Sequence, residues 1–107
     1  MSKQKRVVVT GLGVVSPIGN SVEAFWKSLL EGRSGVRRLA CFDPTHFTSK
    51  IAADVKDFDP SAYLSAKEMK RMDRFVQFAV VAAKQAMADA RVDMSKEDPN
   101  RDRKSVV

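Results

Sequence analysis

The chain has 107 residues, 44% of them hydrophobic and 30% charged, with a formal charge of +6. That length supports one small domain, which buries only about two-thirds of its unfolded surface. A lone cysteine, Cys41, excludes an intrachain disulfide, and no cysteine–histidine spacing suggests zinc or another metal.

At the N-terminus, Lys3, Lys5 and Arg6 precede only three apolar residues, so a signal h-region and a membrane span are not expected, and the cytosol is the natural compartment. Val7, Val8 and Val9 run without alternation, which predicts a central strand covered on both faces, as in a parallel sheet. Gly11 and Gly13 break that run, and Pro17 and Gly19 extend the turn. Asn20 is the expected N-cap of a first helix, with Glu23 reaching back as capping-box partner. Val22, Phe25, Trp26, Leu29 and Leu30 fall at helical spacing, and Gly32 stands where a C′ glycine ends a helix.

From Arg33 to Ser65 the text is loop-rich, punctuated by Gly35, Pro44 and Pro60, with a short strand expected over Ile51 to Val55. There is no internal repeat or low-complexity segment. A second, long helix opens on the capping box Ser65-Ala-Lys-Glu68. Met69, Met72, Val76, Ala79, Val80, Ala83, Met87 and Ala90 carry one apolar stripe toward Arg91, and Ala79 to Ala83, apolar all round, predicts burial between layers.

Three features could carry chemistry. Gly11-Leu-Gly13 after a strand resembles the start of a dinucleotide fingerprint, but the third glycine position is Ser16, Pro17 follows, and the helix begins too late to aim at a pyrophosphate. Close packing or positive φ in a tight turn is the preferred explanation, and no cofactor is expected. Cys41 lies in a Pro-bounded loop and reads as a packed small hydrophobe. His46 has no partnered nucleophile or second ligand nearby in sequence.

The third feature breaks a local rule. Lys67, Lys70, Arg71 and Arg74 put positive charge near the positive end of the helix dipole. At about 100° per residue on one continuous helix the four share roughly one quadrant, opposite Met69, Met72 and Val76. A solvated charge stripe, relieved by Glu68 and Asp73, is the plain explanation. A docking face for an acidic partner is the functional one.

Four ordered segments decide the weighting: VVVTGLGVVSPIGN from Val7, FWKSLLEGRSGV from Phe25, IAADVKDFDP from Ile51 and RMDRF from Arg71. From about Lys5 to Arg101 the chain resembles the start of the β-ketoacyl-acyl-carrier-protein synthases, within them the second, elongating type. The resemblance implies an α/β chain: the N-terminal part of a thiolase-like fold, an incomplete piece of a layered α/β/α/β/α unit. It implies decarboxylative condensation of malonyl-acyl-carrier protein with a cysteine-bound acyl thioester, assisted by two histidines, in a homodimeric enzyme without a cofactor. The family's cysteine and histidines lie beyond Val107, so no catalytic residue is assigned in this chain, and the piece alone is expected to be inactive. In such enzymes basic residues at positions matching Lys67, Lys70 and Arg71 dock the acidic recognition helix of acyl carrier protein. Arg74 is placed with them by the helical spacing.

The sequence leaves other functions open: a polyketide ketosynthase piece, a non-catalytic module that binds acyl carrier protein, and, lowest, a nucleic-acid binder, which lacks an interleaved aromatic–basic motif. A partial synthase domain is expected over residues 1–101, followed by a tail outside the family. Asp102 to Val107 is poor strand material where the family enters a core strand. Its wording with a stop is the translation of a common short-read sequencing adapter, so an assembly artefact is expected there.

Overall fold

A computed structural model describes residues 4–98 and Asn100. The expectations for the six-residue tail lie outside the described residues. In chain order the elements are α1 (Val22–Glu31), β1 (Val36–Arg38), β2 (Ile51–Ala53), a 3-10 turn (Pro60–Ala62), α2 (Ala66–Lys70) and α3 (Arg74–Ala90).

The valine run is not a strand here. Among the described residues Val7, Val8 and Val9 have no ladder partner, and they are 95%, 66% and 78% exposed. β-branched residues favour extended backbone, but a strand exists only through hydrogen bonds to a neighbour. The sheet that does form is a two-stranded antiparallel ribbon, with Val36 opposite Ala53 and Arg38 opposite Ile51. β2 therefore lies within the expected Ile51–Val55 strand, while β1 had no distinct sequence signal.

Helix α1 begins one residue later than expected. Ser21, extended at φ −146°, accepts a hydrogen bond from the Ala24 amide and is the N-cap. Glu23 thus falls at the second helical position, and the capping box read from Asn20 is absent. Asn20 is engaged elsewhere: its side-chain amide donates to the Lys56 carbonyl at 2.8 Å. The stop is as expected, with Gly32 left-handed at φ 69° and its N–H returning to the last turn.

The long second helix divides into two. Ser65 and Glu68 form the expected capping box at the start of α2. Asp73 then turns extended (φ −66°, ψ 159°) and caps α3, although its side chain makes no cap hydrogen bond. Aspartate is a weak helix-interior residue and a strong cap. The Gln77 side-chain amide donates to the carbonyls of Met69 and Met72 on the far side of the break. The α3 helix then runs to Arg91, which is left-handed at φ 55°.

Burial is sparse. Among the described residues only Leu64 (4% exposed) and Val81 (3%) are buried hydrophobics. Val81 is the one buried member of the apolar centre expected over Ala79 to Ala83; Ala79 is exposed and the others are half-buried. The apolar side of α1 is open, with Trp26 59% and Leu30 71% exposed. The radius of gyration, 17.9 Å, exceeds the roughly 13 Å typical of a compact chain of this length.

Candidate docking segment

The scaffold around α3 is a seam between that helix and the glycine segment. An added Cβ on Gly11 would lie 2.3 Å from the Ala86 carbonyl oxygen, and one on Gly13 would lie 1.9 Å from that of Ala82. Ala82, Ala86 and Ala90 recur every four residues, so one small-residue stripe of α3 receives both glycines. Side chains of α3 then tie the segment down. The Leu12 amide donates to Asp89 (3.0 Å), the Val14 amide donates to Gln85 (3.1 Å), and Gln85 donates to the Asn20 carbonyl (2.8 Å). Close packing is thus the use of these glycines; two loop amides that a phosphate would need are already taken.

Beside the seam, a cleft of about 340 Å³ opens between the start of α1, the Asp57–Asp59 turn and α3. Glu23, Asp57, Asp59 and Asp89 line it. Asp89 holds the Leu12 amide and Asp59 that of Ser61. The Ser61 hydroxyl and amide hold the Asp59 carboxyl below its ordinary range. Among the described residues, no group of three or more His, Cys, Asp or Glu could hold a metal ion. Cys41 is exposed, contrary to the packed position expected of it, because its loop crosses no buried layer. His46 is exposed as well.

The basic segment departs from the single quadrant expected of one helix. Lys67 and Lys70 lie on α2, Arg71 is its C-cap, and Arg74 opens α3 beyond the break. All four are exposed. The side chains of Lys67, Lys70 and Arg71 have no hydrogen-bond or ion-pair partner among the described residues, whereas that of Arg74 does: its guanidinium donates to the Val55 carbonyl at 2.9 Å and lies 5.3 Å from the Phe78 ring centroid. Phe78 in turn meets Phe58 edge to face at 4.7 Å. The sequence signals for this arrangement were Asp73, a cap-type residue inside a helical pattern, and Gln77 one turn later. The partner of Arg74, 19 positions earlier, had no local signal.

Other cations are also engaged by backbone. Lys50 donates to the carbonyls of Pro44, Thr45 and Phe47, Lys56 to that of Gly35, and Lys84 to that of Tyr63. Lysine ammoniums used in this way are constrained as docking contacts, which sharpens the contrast with α2.

Residues 4–107 match the family described as "Beta-ketoacyl synthase, N-terminal domain". The match runs past the boundary drawn at Arg101. The chain is 46% identical over 101 residues to 3-oxoacyl-acyl-carrier-protein synthase 2 of Vibrio harveyi, covering 94% of this chain and 24% of that protein. It is 47% identical over 93 residues to the protein of that name from Coxiella burnetii, covering 87% and 22%. Among solved structures it is similar to the ishigamide ketosynthase/chain length factor, with TM-score 0.73, 39% identity, and coverage of 82% of this chain and 22% of that one. A second is the AntDE:AntF complex, a type II PKS acyl-carrier protein with its ketosynthase bound to the hexaketide, with TM-score 0.67, 30% identity, and coverage of 92% and 24%. The chain thus spans about a quarter of the length of these relatives.

Proposed function

Because the chain belongs to the β-ketoacyl synthase family through its N-terminal domain, we propose that it is the opening part of a condensing enzyme of fatty-acid elongation, acting on malonyl-acyl-carrier protein. In the reaction, malonyl loses carbon dioxide, the resulting enolate forms a carbon–carbon bond to an acyl group held as a cysteine thioester, and the thiolate leaves. The cysteine and histidines of that chemistry belong to the rest of the enzyme. We further infer a cytosolic homodimer.

The share of this segment is carrier-protein docking through the Lys67–Arg74 stretch. The observation that carries this reading is the set of three unpartnered cations, Lys67, Lys70 and Arg71, presented together where α2 ends. A short capped helix holds its side chains at fixed spacing, and free ammonium and guanidinium groups complement an acidic helix. Such contacts act chiefly on encounter rate and orientation, and salt screens them.

Titration of the complete gene product with acyl carrier protein tests the reading. The Lys70→Glu/Arg71→Glu double variant is expected to weaken binding about tenfold or more at low salt and to flatten its salt dependence. Duplex DNA serves as a control polyanion. Unchanged carrier-protein affinity in the double variant would sink the docking role.

A further inference from the structure

We propose that Arg74 is a positioning residue, which clamps the α2–α3 break to the end of the β2 segment and so sets the direction in which Lys67, Lys70 and Arg71 point. The role rests on the docking reading; the clamp itself does not.

Five contacts converge on the clamp. The Arg74 guanidinium donates to the Val55 carbonyl, two residues past β2. Its Cζ lies over the Phe78 ring, 5.3 Å from the centroid and one turn along α3, and Phe78 packs on Phe58 from the loop that follows Val55. Gln77 binds the carbonyls of Met69 and Met72 on the other side of the break. The first turn of α3 therefore grips both the chain before α2, through Arg74, and the chain at the end of α2, through Gln77. The segment between them, residues 56–73, contains the docking cations.

Arginine suits this position for a geometric reason. Its planar fork can donate to a carbonyl while its face stacks on an aromatic ring, which a lysine ammonium cannot do in the same way. The guanidinium is consequently committed within the chain. The three other cations of the cluster have no such commitment among the described residues.

The experiment compares Arg74→Lys and Arg74→Ala with wild type in the complete gene product, with two readouts. The first is amide hydrogen exchange over residues 66–73 without carrier protein; both variants are expected to exchange about tenfold faster there, the loss of one charge-assisted hydrogen bond. Exchange across α3 is the internal check that the helix is intact. The second is carrier-protein affinity against salt: both variants should bind more weakly with the wild-type salt slope, whereas Lys70→Glu should change the slope. Unchanged exchange in both variants would overturn the clamp. Wild-type affinity in Arg74→Lys with a reduced slope in Arg74→Ala would make Arg74 a direct docking charge and overturn the proposal too. If Lys70→Glu/Arg71→Glu leaves binding unaffected, the docking reading fails alone, and the exchange result still decides the clamp.

Discussion

The glycine seam and the valine run are neighbours in sequence and opposites in structure. At Gly11 and Gly13 the backbone lies against α3 without room for a methyl group, and the amides of Leu12 and Val14 are paired with Asp89 and Gln85. A few residues earlier, Val7 to Val9 have no ladder partner among the described residues and are mostly exposed. The difference shows that the intrinsic preference of a segment and its structure part company when the neighbour is missing. The seam has its partner in α3, and the valine run has none among the described residues. Exposed Trp26, Leu30 and Phe75 (70%) repeat the second case on the two helices. Apolar surface of this extent seeks cover or aggregates.

Adding volume to the seam is the largest way to break this contrast. Gly13→Ala is expected to destabilise the complete gene product by about 3 kcal/mol, since overpacking against backbone cannot be relieved by a rotamer change. Denaturant unfolding measures it, and a loss below about 1 kcal/mol would show that the seam opens easily. The Gln85→Leu substitution is next. It strands the Val14 amide and the Asn20 carbonyl, at an expected cost of about 1–3 kcal/mol. Gln85→Glu retains the acceptor for Val14 and should recover part of the loss.

On the open side, Trp26→Ser and Leu30→Ser in the 107-residue chain should change unfolding free energy by no more than about 0.5 kcal/mol, as for other exposed sites. Both should reduce aggregation measured by light scattering. A large destabilisation would mean that the helix face is covered, for example by self-association. The smallest effect is acid sensitivity at α2. The amide and hydroxyl of Ser65 hold the Glu68 carboxyl below its ordinary 4.5. A folded value below the unfolded one stabilises above the unfolded value, and that contribution vanishes as pH falls through the lower folded value. Protection factors at the start of α2, which divide out the intrinsic slowing of exchange in acid, should therefore fall as the carboxyl protonates below its ordinary 4.5, and Glu68→Gln should show less of this pH dependence.

Much of the local structure was legible. The stop at Gly32, the Ser65–Glu68 capping box and the strand from Ile51 all followed from residue types at fixed offsets. The α1 cap moved one residue because the Ser21 hydroxyl accepts the Ala24 amide, while the Asn20 side-chain amide donates to the Lys56 carbonyl far along the chain. The apolar stripe from Met69 to Ala90 concealed the helix break, since a change of direction at Asp73 leaves the spacing of the stripe intact. The candidate docking cations could be named from the sequence, but the different condition of Arg74 could not.

By itself the sequence determined the elements whose causes lie within a few residues: caps, stops, turn positions and the basic cluster, together with the resemblance that pointed to the family. Only the tertiary structure decided which glycines need to be glycines, which cations are already committed, and which apolar segments stay open. Each of these depends on a group dozens of positions away or on a partner segment, and chain proximity in space is set by packing and hydrogen bonding rather than by local propensity.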